Sequence, residues 1–412
     1  MRRHPEAERQ VGGFDPATVR RQFAILGRNV AWLDNAATTQ RPESVLLAMD
    51  AFYRQHNANT RRSVHRLGAE ATAAYEGARG TVAKFMGVSS QEEIVFTSGT
   101  TAGINTVAAG LAQREIGPGD EIWVSAMEHH SNWVPWQKAA QTMGAALKII
   151  PLTPEGRLDL AAFRKGLGAH RTKLVAISWV SNVLGAVNEV RAICDAAHEL
   201  GARVLVDGAQ VVAHLPVDVA AMDCDFFAFS GHKMFGPMGI GALWGRRALL
   251  EQMEPLLYGG DMIVRVEDQT ATWAEVPYRF EGGTPNVAGA VGLGAAIEWL
   301  QSLPVSAHEH VASLARQATE GLSAMKGVRV WGPAEGRTSL VSFSVEGVHS
   351  HDVAQVLDGR GMAVRAGHMC AQPLMRRLGI ESAVRASFAP YNTQDEVRRL
   401  LEGVRAAQEL FT

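Results

Sequence analysis

An amine and a carboxylate occupy matching places in this sequence. RVLVDGAQ puts Asp207 at the end of an apolar run, and DFFAFSGHK puts Lys233 just past the end of the next run. Groups at neighbouring strand ends can face one bound molecule. A lysine for a Schiff base and a carboxylate for a pyridine nitrogen are the pair that a pyridoxal 5'-phosphate site needs. The carboxylate keeps the ring nitrogen protonated, so the ring can take up electrons when a substrate loses its α-proton. Taken singly, a surface lysine and a helix-capping aspartate would be unremarked.

The surroundings add to the pair. EIVFTSGTTAGINTVAAG (93–110) runs strand, turn, helix. Backbone N–H groups and the hydroxyls of Thr100 and Thr101 at a helix N-terminus make an anion site, although such residues also cap helices that bind nothing. Ser230 and His232, close before Lys233, can close the cup. MEHHSNWVPW follows the run EIWVSA and places His129 where a ring could stack over the cofactor and trade protons. No histidine or cysteine here has metal-ligand spacing, so no metal is expected.

These residues need elements to hold them. Short apolar runs at 93–96, 121–126, 173–180, 203–207 and 225–230 each precede a turn and a helical stretch. Strands alternating with helices predict an α/β fold, with a mostly parallel sheet and helices on both faces. Functional groups in such sheets gather beyond the carboxyl ends of the strands. The last hundred or so residues read differently. LVSFSVEG (340–347), GMAVRAG (361–367) and AVRASFA (383–389) read as half-buried strands flanked by two helices. The final helix starts at Thr393, with Glu396 three residues on as a capping box. This predicts a smaller α+β C-terminal domain. The expected division is a tail and helix over 1–30 that pack with the small domain, a large domain over 31–298, and the small domain over 299–412. In the first part, Asp15 caps a helix starting at Pro16, and Val19, Phe23 and Leu26 share a face.

Composition narrows the function. The chain is 412 residues long, 47% hydrophobic and 20% charged, with a net charge of -2, so it has core material but no basic field for nucleic acid or an anionic membrane. Its apolar runs are too short to span a bilayer. The opening MRRHPEAERQVGG lacks the apolar stretch of a secretory signal and reads as a frayed tail. Three scattered cysteines give no disulfide framework, which points to a reducing cytoplasm. Cys194 and Cys224 lie in apolar settings and read as small buried hydrophobes. Cys370 instead follows Arg365 and His368 in a glycine-containing loop before Pro373. Positive neighbours there would favour the thiolate form of an accessible nucleophile.

VSNVLGA (180–186), VLVDGAQ (204–210), CDFFAFSGHKMFGPMGIG (224–241), EGGTPN (281–286) and RAGHMCAQPLM (365–375) resemble the SufS-like, group II cysteine desulfurases. These belong to the class V aminotransferase group of fold-type I pyridoxal-phosphate enzymes. The resemblance runs from VAWLDNAATT (30–39) to the C-terminus. It implies that Lys233 carries the cofactor and moves the α-proton, and that Asp207 pairs with the pyridinium nitrogen. Gln210 would bond the phenolic oxygen, and His129 would stack on the ring. Thr101, Ser230 and His232 would hold the phosphate, and Thr284 would reach the phosphate of a partner subunit in a homodimer. Arg385 would bind the carboxylate of L-cysteine as a fork, with Asn182 helping and Arg365 nearby. Cys370 would attack the substrate sulfur, leaving alanine, and pass its persulfide to a SufE-like or SufU-like acceptor protein.

The chain departs from that pattern at four places. Met369 replaces a second histidine before the cysteine, Arg61 and Ser63 replace a histidine and a glycine near residue 60, and Ala102 replaces a glutamate. Arg62 and His65 keep the family's residues there. These changes leave the core chemistry intact and bear on the sulfur acceptor, which suggests a specialised paralogue serving one pathway. A selenocysteine lyase or cysteine β-lyase using the same site is the alternative. An aminotransferase would leave the cysteine loop without a purpose, and a catalytically silent scaffold would not need Lys233, Asp207 and Cys370 together.

Overall fold

The computed structural model describes residues 14–61, 64–168 and 170–411. The tail over 1–13 and the positions Arg62 and Ser63 lie outside the described residues. In chain order the strands are β1 (Ala31–Trp32), β2 (Ile94–Thr97), β3 (Glu121–Ser125), β4 (Ala146–Ile150), β5 (Thr172–Ser178), β6 (Arg203–Asp207), β7 (Phe226–Ser230) and β8 (Gly241–Gly245). They continue as β9 (Ile263–Val266), β10 (Ala271–Trp273), β11 (Val328–Trp331), β12 (Leu340–Val345), β13 (Met362–Ala363), β14 (Arg365–Gly367) and β15 (Ala383–Ser387).

Seven strands form the large sheet, in the order β2-β8-β7-β6-β5-β3-β4. Only β8 runs against the rest: it is antiparallel to both β2 and β7, and the other pairings are parallel. Burial explains the unbroken apolar runs. Trp123, Val175, Ile177, Val204, Val206, Phe227 and Phe229 pack into one core. Their alternates Ile122, Val124, Leu174, Ala176, Leu205, Phe226 and Ala228 pack into a second core on the opposite face. A strand covered on both sides has no polar alternate positions. The five expected strands are present, and β4 and β8 join them. Exposed positions alternate in β4 and Gly241 opens β8, so neither gives the continuous apolar signal of the central strands.

A second sheet has the order β11-β12-β15-β14 and is antiparallel throughout. The expectation of half-buried strands needs correction: every residue of β15 is buried. One side meets a core that includes Leu314, Leu357, Leu400 and Val404, and the other side closes on the large sheet's loops. GMAVRAG is also two strands, since β13 pairs with β1 and β14 pairs with β15. The capping box is present. Glu396 Oε2 accepts from Thr393 N at 3.0 Å and Glu396 N donates to Thr393 Oγ1 at 3.3 Å, ahead of the helix Gln394–Phe411.

The first helix is shorter than its pattern suggests. Asp15 caps Pro16–Arg20, after which the chain turns into a 3-10 segment, Ala24–Arg28. Val19, Phe23 and Leu26 are all buried. Phe23 stacks edge-on with Tyr391 at 4.7 Å and with Trp299 at 5.4 Å, and Arg20 meets Glu396 at 2.9 Å. This segment therefore touches helices of both sheets. Among the described residues no helix is long and apolar enough to cross a membrane.

Candidate active site

The carboxyl ends of β2, β3, β5, β6 and β7 point the same way and converge on one cavity of about 340 Å³. Thr100 and Thr101 follow β2, His129 follows β3, Asn182 follows β5, Asp207 ends β6, and Ser230, His232 and Lys233 end β7 or follow it. From the second sheet Arg365, Met369, Cys370 and Arg385 complete the wall. Residues from Thr100 to Lys233 thus meet because crossovers return the chain to one end of the large sheet, and the second sheet adds Arg365 to Arg385.

At the centre, burial, with Arg385 adding to it, pushes the Lys233 ammonium below its ordinary range, against the opposing pull of Asp207 and Cys370. Burial likewise pushes the Asp207 carboxyl up, against Lys233 and an N–H bond from Ala209 at 2.9 Å. Both groups lean toward neutrality, as suits an amine that must act as a nucleophile. His129 is driven further. Burial, then Lys233, His130 and Arg385, lower it to about 3. Its Nδ1 accepts the Ser131 N–H at 3.1 Å, which assigns the proton of the neutral ring to Nε2.

The anion end is built at the helix Thr100–Gly110. Its first intrahelical bond is Gly103 N to Gly99 O, so the N–H groups of Thr101 and Ala102 have no helical acceptor. Thr100 N donates to Ser230 Oγ at 2.8 Å, and Thr101 Oγ1 lies 2.7 Å from Ser131 Oγ. Gly99 has φ +142, a conformation that side chains avoid, and a Cβ there would stand 3.0 Å from Ser230 Oγ. The backbone is thereby left open to a phosphate. A space of about 450 Å³ lined by Thr100, Thr101, Ser230 and His232 adjoins it.

The opposite end carries two arginines. Arg385 on β15 is buried and pairs in register with Arg365 on β14. Arg385 Nη1 donates to Asn182 O at 2.8 Å, and Asp34 lies between the two guanidiniums. Arg385 Nε is buried without a hydrogen-bond partner. Such an orphan costs about 1–3 kcal/mol, a cost that a bound carboxylate would remove.

Cys370 is exposed, and all three cysteines are unpaired. It sits in a tight reversal in which Met369 has φ +50 and Cys370 has φ +54. Left-handed backbone costs a non-glycine residue roughly 1–2 kcal/mol, so the shape must be enforced from outside. Three bonds do this. Asn182 Nδ2 donates to Met369 O at 2.8 Å, His130 N donates to Cys370 O at 2.7 Å, and Cys370 N donates to His368 Nδ1 at 3.1 Å. The first two tie the hairpin to the loops after β5 and β3.

Comparison with known proteins now adds to this geometry. The Aminotransferase class-V profile matches residues 31–400. The chain belongs to the class-V aminotransferase family. It is 48% identical to a probable cysteine desulfurase of Halalkalibacterium halodurans over 95% of this chain and 98% of that one. It is similar in structure to the cysteine desulfurase CsdA of Escherichia coli, with TM-score 0.91, 41% identity and coverage of 97% and 100%. A cysteine desulfurase of Thermococcus onnurineus superposes at TM-score 0.92 with 40% identity, covering 98% and 99%. A less similar structure, a variant of C-DES with glycine covalently linked to its PLP cofactor, superposes at TM-score 0.81 with 25% identity, covering 94% and 98%.

Within this family frame the donor set fits pyridoxal phosphate: a desolvated lysine, a buried carboxylate, an open helix N-terminus and an orphaned guanidinium surround one cavity. Two expected contributors stand apart from it. Gln210 is buried, but its amide donates to Ala36 O at 2.8 Å and it does not line the cavity. Thr284 is exposed and lines a separate cavity with Ala102 and Glu281. Other contributors were not singled out from sequence. Asp34 lies within the quoted VAWLDNAATT, and Ser131 and His130 are neighbours of His129, so only adjacency marked them. Glu128 is fully buried and pushed up to about 7 by that burial. It accepts from Asn132 Nδ2 at 2.6 Å, from Ser178 N at 2.8 Å and from the Ser125 hydroxyl, pinning the histidine loop to β3 and β5. A lone glutamate beside two histidines carries no sequence signal for that task.

Proposed function

We propose that this chain is a pyridoxal-phosphate-dependent cysteine desulfurase that converts L-cysteine to L-alanine and takes the sulfur onto Cys370. The observation that carries this reading is an exposed, unpaired cysteine on an enforced hairpin, lining the same cavity as Lys233, Asp207 and Arg385. Pyridoxal phosphate, held by Lys233, Asp207, Thr100, Thr101, Ser230 and His232, would supply an electron sink when bound. Arg385 takes the substrate carboxylate through its free Nε edge, with Arg365 beside it and Asn182 buttressing both Arg385 and the hairpin. Lys233, kept short of its ordinary basicity, collects the α-proton. His129, which lines the cavity, would stack on the ring and offer its Nε2–H there. The Cys370 thiolate then attacks the substrate sulfur. The Cβ–S bond breaks, a sulfur–sulfur bond forms, the electron pair left on Cβ is protonated, and Lys233 returns a proton to Cα to give alanine. The persulfide passes by thiol exchange to an acceptor protein. Thr284 is exposed and lines a different cavity from the one holding Lys233, which supports a homodimer in which it serves the partner's phosphate. Gln210, whose amide already donates one N–H to Ala36 O, would offer its second N–H to the phenolic oxygen. Three unpaired cysteines support a reducing cytoplasm as the setting.

The deciding experiment incubates cofactor-loaded protein with cysteine, with and without a reductant, beside Cys370→Ala. Alanine that turns over only with reductant, and is lost in the variant, is the expected result. Pyruvate and ammonia, or full activity in the variant, would replace this reading with a β-lyase.

A further inference from the structure

Arg365 and Arg385 are direct cross-strand partners, an arrangement in which two like charges repel. One carboxylate resolves the conflict. Asp34, buried, meets Arg365 Nη2 at 2.6 Å and Arg385 Nη2 at 3.4 Å. Its backbone is fixed independently, by the bridge to Ser387 on β15 and by the Ala37 and Thr38 N–H groups on its carbonyl. The two guanidiniums and one carboxylate therefore leave a single positive charge at this end of the cavity. Lys233 and Asp207 both lean toward neutrality and add no net charge at the centre, and burial keeps His129 neutral. Arg385 lines the cavity and keeps its buried Nε without a partner, so that charge is available to a ligand at this end.

We propose that Asp34 is a specificity-determining residue that matches this cluster to a substrate with one carboxylate and discriminates against dicarboxylic amino acids. The proposal rests on the reading of Arg385 as the carboxylate site. Neutralising Asp34 would leave two positive charges and favour a second negative charge on the ligand. Arg365, half exposed, offers the opposite change.

The test titrates the holoenzyme with L-alanine, L-aspartate and L-alaninol and reads the change in the cofactor's visible absorbance. In Asp34→Asn the affinity ratio of aspartate to alanine should rise about tenfold. In Arg365→Gln it should fall by a similar factor, and in the double variant, which restores the single charge, it should return to the wild-type value. A merely structural role would weaken all three ligands together and leave the ratio unmoved, which overturns the proposal. If Asp34→Asn does not yield holoenzyme, an unmoved ratio in Arg365→Gln overturns it equally. Should the wild-type protein bind alaninol as tightly as alanine, the carboxylate reading of Arg385 itself fails.

Discussion

At the residue scale the site works by desolvation. Asp207 and Arg385 are buried and Lys233 is half-buried, so each is held away from its ordinary charge balance until a ligand supplies the missing partner. Burial lowers Arg385 to about 10 and leaves its Nε orphaned. Arg385→Lys keeps the charge but loses the planar fork. We expect KM for cysteine to rise about 10–100-fold in steady-state assays, with the cofactor absorbance retained. Asp207→Asn should instead leave cysteine docking intact and lower kcat by about a thousandfold, because the ring nitrogen loses its counter-charge. Equal losses from both substitutions would contradict the division of the cavity into a carboxylate end and a ring end. Lys233, Asp207 and Cys370 were legible from sequence because each sits at a fixed offset from an apolar run or a glycine. Asp34 and Glu128 were not, since a buried counter-ion is defined by what surrounds it.

Elements explain how the nucleophile is presented. The Cys370 hairpin has an unfavourable backbone and belongs to the second sheet, but two of its three retaining bonds come from loops of the first. Asn182→Ala removes the one to Met369 O. Single-turnover measurements should show persulfide formation slowed by about tenfold, the order expected for a misplaced reactive group, while cofactor affinity stays unchanged. Loss of cofactor in that variant would show that Asn182 serves the ring rather than the hairpin. The capping box offers a contrast far from the chemistry. Thr393→Ala should cost about 1 kcal/mol of stability by denaturant titration with no effect on turnover. Helix starts and central strands could be read from pattern because their causes are local. The split between β13 and β14 could not, because β13 is a strand only through its pairing with β1, some 330 residues earlier.

For the whole molecule, the contact between the two sheets is the functional surface, and part of it is pH-sensitive. His214, in the turn after β6, has Nε2 2.7 Å from the hydroxyl of Ser339, just before β12. Burial, with His308 nearby, lowers His214 to about 3. The unfolded chain takes up a proton on this ring below about pH 6.5 whereas the folded chain does not. Unfolding therefore binds protons across that window, and stability is lost as the pH falls from about 6.5 toward 3. His214 should contribute about 1–2 kcal/mol to the loss seen by thermal denaturation at pH 5 relative to pH 7.5, a share that His214→Gln removes. An unchanged pH slope in that variant would exclude His214 as the source.

By itself the sequence determined the layered α/β architecture, since runs apolar at every position need cover on both faces. It also determined the main chemical actors, since an acid, an amine, an open helix start and a thiol stand at turns immediately beyond such runs. Tertiary structure alone decided which of these share a cavity: Cys370 and Arg385 do, whereas Gln210 and Thr284 stand outside it. It alone produced the two-arginine, one-carboxylate cluster at Asp34 and the external bonds that hold a strained cysteine hairpin. The reason is one of range. Hydrophobic period and turn chemistry are written within a dozen residues. Charge compensation and enforced strain depend on groups hundreds of positions apart, brought together only when the second sheet closes on the first.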